Sequence, residues 1–222
     1  MLTRSKLALS CLAAIMLLGA AISSAPATRL SLSGNSFRIA WDRNLPNATD
    51  LTFLSTIGPP VTCPVTLEGT FHSQTITKTA NLLIGSVTRA SVGTSTGSTA
   101  ACVSGSATIL TASLPWHVQY SSFGGILPNI TEITLRLINA SFQINNGNVC
   151  LFRTTSTEPG VGIADVTNPT TTRELLFVRL DESRNITLRE GAFGCSIAKA
   201  RFRGTGAVTL LNSSARPLLR LI

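Results

Sequence analysis

VTCPVTLEGTFHS, residues Val61 to Ser73, is the stretch that decides the fold. From Val65 onward it alternates: Val65, Leu67, Gly69 and Phe71 share one parity, while Thr66, Glu68, Thr70 and His72 share the other. Successive side chains of a strand point to opposite faces, so this pattern buries one face and leaves the other to solvent. Leu30 to Trp41 alternates in the same way and is broken only by Gly34-Asn35. Further short runs of this kind are Leu51–Ile57, Leu82–Ala90, Ala107–Thr111, Trp116–Ser121, Ile133–Ile144, Val149–Thr154, Leu175–Leu180, Asn185–Arg189, Cys195–Phe202 and Ala207–Leu211. Helical periodicity is almost absent after the first segment. The expected fold is all-β: an antiparallel β-sandwich or a barrel-like closure.

Between the runs lie turn formers. Gly93 to Gly105 is small and polar, Glu158-Pro-Gly-Val-Gly162 and Asn168-Pro169 read as breakers, and Gly124-Gly125 with Leu127-Pro-Asn129 marks the middle. Leu30-x-Leu32-x3-Ser36-Phe37-x-Ile39 is echoed by Leu135-x-Leu137-x3-Ser141-Phe142-x-Ile144. The echo suggests two similar β-units meeting near residue 125. Sparse aromatics and the cysteines argue against an outer-membrane barrel.

The first segment has the layout of a secretory signal. Arg4 and Lys6 precede the uncharged, apolar Leu7–Ile22, and small residues follow, with Ala25-Pro-Ala27 fitting an A-x-A cleavage site. Residues 1–27 are therefore expected to be removed, Cys11 with them, leaving 28–222 as one secreted all-β domain. Leu7–Ile22 is short for a bilayer span, and no apolar run of spanning length follows, so no integral membrane span is expected after cleavage. Of five cysteines, Cys63, Cys102, Cys150 and Cys195 remain. An even count in an exported chain implies two disulfides. Three connectivities are open; pairing neighbours would staple each half of the chain separately and is preferred. No two of these cysteines stand closer than 39 residues (Cys63 to Cys102), which does not suit a zinc site.

Removing Arg4 and Lys6 from 18 basic residues leaves 16 against 10 acids, a formal charge of +6. From Arg173 onward nine basic residues face only Glu174, Asp181, Glu182 and Glu190. This basic C-terminal third suits anionic partners such as cell-wall polymer or lipid headgroups. Nucleic acid is not expected, because there is no Lys/Arg run and aromatics for base stacking make up only 5% of the chain.

Candidate chemistry is thin. His72 and His117 are the only histidines, so imidazole chemistry has to use them. Glu68, His72 and His117 form a candidate polar site if the strands bring them together, and such a trio has the composition of a two-His-one-carboxylate centre. Metal-ligand spacing is lacking, so no metal and no cofactor is expected. There is no G-x-S-x-G elbow and no phosphate-cradling glycine loop, so no catalytic residue can be assigned. Trp116 and Tyr120 share a strand face: exposed, they would form an aromatic contact platform; buried, they are core.

At Cys63-Pro-Val-Thr-Leu-Glu-Gly-Thr-Phe-His72, and again at Leu114-Pro-Trp-His-Val-Gln-Tyr120 with Leu127-Pro-Asn-Ile130, the chain resembles a group of exported β-rich proteins of unassigned function from high-GC Gram-positive bacteria. The likeness runs through most of the mature chain. It implies secretion and an all-β fold, and brings no ligand or catalytic residue with it. The expected function is that of a non-enzymatic binding or cell-envelope-associated β protein. The alternatives are a small apolar ligand carrier in a sandwich or barrel, and a secreted hydrolase.

Overall fold

The alternating runs form seventeen strands, every pairing antiparallel, in a computed structural model that describes residues 29–222 except 56–57, 94–101, 127–128, 167–172, 181–185, 192–194 and 196–198. Residues 1–27, expected to be an export signal, most of the small polar loop after Gly93, Leu127-Pro128, Asn168-Pro169 and Asp181-Glu182 lie outside the described residues.

Eight strands close into a barrel: β2 (Ser36–Trp41), β5 (Val65–Phe71), β7 (Leu83–Val92), β9 (Trp116–Ile126), β10 (Asn129–Ile138), β13 (Gly160–Val166), β14 (Arg173–Leu180) and β16 (Lys199–Thr209). Hydrogen-bonded ladders run β2-β5-β7-β9-β10-β13-β14-β16 and return to β2. Of the two all-β architectures expected, the barrel is the one formed. Closure removes the open edges on which a sheet would otherwise aggregate.

The stretch around Glu68 becomes β5, and its alternation holds. Val65, Leu67 and Phe71 are buried, Glu68 is half-buried and Thr70 exposed; Thr66 alone departs, being buried too. Gly69 permits a close approach here, since a Cβ would sit 2.2 Å from the Ser86 carbonyl oxygen and 2.7 Å from the Phe37 ring. The ladder between β5 and β7 shifts register between Glu68 and Gly69.

A second ring is built on the same long strand. β3 (Leu51–Ser55) pairs with residues 200–203 of β16, whose residues 204–207 belong to the barrel. The ring continues through β15 (Ile186–Gly191), β12 (Val149–Arg153), β11 (Ser141–Asn145) and β8 (Ser106–Ile109). On the other side β3 pairs with β4 (Val61–Cys63). A single bridge, Thr62 to Val103, joins β4 to the segment that leads into β8. Phe53, Phe142, Phe152 and Phe202 fill this ring, with centroid separations of 4.7 to 6.0 Å.

Both disulfides lie in the second ring. Cys63 at the end of β4 bonds Cys102, beside the closing bridge, and Cys150 on β12 bonds Cys195 between β15 and β16. The preferred neighbour pairing is thus the one formed, and each bond lies within one half of the chain, though both bonds serve the same ring. Gly124 and Gly125 lie within β9, and each ring draws strands from both sides of that point.

The remaining strands, β1 (Arg29–Leu32), β6 (Thr75–Thr77) and β17 (Leu218–Leu221), form a small sheet joined to the start of β14. Their Leu30, Leu32, Ile76 and Leu219 pack with Phe71, Tyr120 and Ile133 of the barrel.

Candidate functional site

The loop between β2 and β3 sets up a polar concavity on the described surface. Asp42 accepts the Asn44 amide (3.0 Å) and caps a tight turn. Asp50, 7% exposed, then reaches back to Arg43. It accepts the Arg43 backbone amide at 2.8 Å and its Nε at 2.7 Å. A carboxylate buried this far needs such partners. The bond to Asp50 raises the Arg43 pKa above its already high value, so the cation is permanent.

Arg43 opens onto a cleft of about 850 Å³ at the meeting of the two rings. Arg179 on β14 and Arg203 on β16 line it as well, with Thr49, Thr52, Thr62 and Thr205. Thr49 and Thr205 tie the loop to β16, the Thr205 amide donating to Thr49 Oγ1 at 2.9 Å. Thr52 and Thr62 share a hydroxyl–hydroxyl bond of 3.1 Å across β3 and β4. Arg179 is clamped by Asp165 on β13 through two bonds of 2.7 and 2.8 Å, which raises its pKa. A guanidinium has five donors, so the described clamps orient Arg43 and Arg179 without using all of them. The cleft wall therefore carries three cations set among hydroxyls; Asp50 pairs with Arg43, and Asp165 with Glu132 (3.9 Å) faces Arg179.

The residues singled out in the sequence lie elsewhere. Glu68 sits on the outer side of β5 between Arg38 of β2 (3.5 Å) and Arg89 of β7 (3.6 Å). It is a cross-strand counter-ion. His72 is exposed just past the end of β5, and its amide donates to the Ile84 carbonyl at 2.9 Å. His117 lies on β9, across β7: Ser86 of β7 pairs with both Thr70 and His117. The strands thus place a third strand between the histidines, and no group of three potential metal ligands occurs among the described residues.

Trp116 and Tyr120 are core, not a platform, at 3% and 2% exposure. The Trp116 indole donates to Ser113 Oγ at 2.7 Å, and burial raises the Tyr120 pKa. They point inward because β9 belongs to a closed barrel with a single interior. Of the basic C-terminal third, Arg179 and Arg203 reach the cleft; Arg43 and Asp50 were missed. Their signal is faint: two acids and an Arg in a short loop after a strand.

A second cavity, of about 100 Å³, lies where the two cores meet. Its wall is almost wholly apolar and includes Ile39, Trp41 and Leu67 of the barrel with Phe53, Phe142 and Phe202 of the second ring.

Fold and sites together define a disulfide-stapled, closed β-barrel protein with a polar cleft at the ring junction. No family model, curated protein or solved structure matches the chain. No helix among the described residues is long and apolar enough to cross a membrane. Two disulfides fit folding in an oxidising compartment.

Proposed function

We propose that the protein is exported and acts without catalysis, holding an anionic polymer of the cell envelope in the cleft lined by Arg43, Arg179 and Arg203. The observation that carries this reading is the convergence of three guanidiniums and four threonine hydroxyls on one concave surface. Guanidinium groups match phosphate and carboxylate oxygens by paired donors, and hydroxyls serve the neighbouring polar groups of a chain. Concavity favours a polymer strand over the flat face of a lipid bilayer. Glu68, His72 and His117 lend no support to a hydrolase, since β7 separates the histidines and Glu68 is engaged by two arginines. A lipid or pigment carrier would need several times the volume of the apolar cavity.

The test is retention on immobilised poly(glycerol phosphate), with anionic vesicles as the comparison surface. Retention at low salt should be lost at 1 M salt, where the screening length falls to about 3 Å. Arg203→Gln should weaken binding roughly tenfold, the worth of one charge-assisted hydrogen bond. Arg220→Gln on β17, exposed and outside the cleft wall, should leave it unchanged. Absence of retention at low salt, equal loss in both variants, or stronger binding to vesicles than to polymer would refute the reading.

A further inference from the structure

We propose that the cavity between the two cores is a binding site for one small, compact apolar guest, of benzene size or below. The site is separate from the polar cleft and does not depend on what the cleft holds.

Its wall is built by both rings: Trp41, Trp116, Leu137 and Val178 from the barrel, Phe53 and Phe142 from the second ring. A volume of about 100 Å³ would admit several waters by size alone. A buried water, however, needs two to four polar partners, and this wall does not supply them. Thr154 Oγ1 already accepts the Ala140 amide at 2.9 Å. Arg136 contributes its stem, because its guanidinium is turned away to Asn81 and to the Ser156 carbonyl. The Trp41 indole Nε1, in a side chain 2% exposed, is buried with no acceptor. One unmet donor is too little to hold water in an otherwise oily space. Apolar cavities of comparable size stay dry and accept benzene or xenon.

Size limits the guest. Lipid chains and pigments do not fit, whereas a gas atom, a short alkane or a single small ring does. Glycine keeps part of the space open: at Gly160 an added Cβ would meet only ordinary contacts, 3.5 Å to Thr154 Cγ2 and 3.7 Å to Leu137 Cβ. Gly160 lines the cavity, so a methyl group placed there would narrow it.

The chain reports on the site directly, because both of its tryptophans line it. Xenon under pressure and benzene in buffer are the probes, read by methyl NMR and tryptophan fluorescence. Saturable shifts are expected at Leu137 and Val178, with none at Leu219 in the small sheet, together with a saturable fluorescence change. Ala140→Leu, which fills the cavity, should abolish both. Should that variant fail to fold, Gly160→Ala should still weaken xenon binding severalfold. Non-saturating shifts, shifts of equal size at Leu219, or unchanged binding in the folded filled variant would overturn the proposal.

Discussion

The barrel and the second ring solve the same problem by different means. Both must close a curved sheet so that no strand edge is left bare. The barrel closes through eight multi-residue ladders, four of them with register shifts, and its strands carry no disulfide cysteine. The second ring is made of short strands, is closed by the lone Thr62–Val103 bridge, and holds both disulfides. Cys63–Cys102 lies next to that bridge, which is the one pairing at this junction among the described residues. Sulfur therefore reinforces the junction, and the two rings should respond differently to its removal.

The largest effect is expected from Cys63→Ala/Cys102→Ala. A crosslink closing 39 residues stabilises by about 4 kcal/mol in the chain-entropy account. Denaturant unfolding should show a loss of that order, and a loss under about 1 kcal/mol would remove the ring's dependence on sulfur.

Next in size is Gly206→Ala, which probes the barrel alone. The Trp41 ring lies against β16 at Gly204 and Gly206, and a Cβ at Gly206 would stand 2.8 Å from Trp41 Cε2 and 2.9 Å from Ile39 Cγ2. Overpacking of this kind costs about 2 kcal/mol. Thermal unfolding should show it, while the Cys63–Cys102 bond forms as before.

The smallest effect is confined to alkaline pH. Tyr120 is the only tyrosine, and burial raises its pKa. Because the folded value lies above the unfolded one, about 10, its contribution is complete below that pH and is lost as pH rises through the folded value. Tyrosinate absorbance in the folded protein should appear only above the range of a free tyrosine. Tyr120→Phe should flatten the alkaline fall in stability; an unaltered fall would show that Tyr120 does not set it.

What was legible in the sequence follows the same division. Strands in which large apolar and polar side chains alternate over most of their length, such as β5 and β2, could be read directly. β13 was read as a breaker because Gly160 and Gly162 occupy interior positions, yet these glycines leave room for Val178 and the ring junction. β16 was read as two strands interrupted near Gly204 and Gly206, but the glycines lie under Trp41 and the strand runs unbroken through both rings. In a closed barrel a glycine can be the partner of a tryptophan on a neighbouring strand far away in sequence, and local pattern cannot show that. The reverse error occurred at Ile133–Ile144, read as one strand but divided into β10 and β11 at Asn139, whose φ of 66° turns the chain. β6 and β17, three and four residues long, are too short for alternation to register. The cleft was hidden for a related reason. Arg43 and Asp50 belong to one loop, but Arg179 and Arg203 join them only through the β14–β16 ladder and the crossing of β16 between rings.

Amide hydrogen exchange on oxidised and reduced protein addresses the contrast between the rings most directly. Reduction should release protection in β4, β8, β11 and β12 while amides of β5, β7, β9 and β10 stay protected. Simultaneous loss in both sets, or unchanged protection in β4 and β8, would contradict a ring that depends on its sulfur bonds beside a barrel that does not.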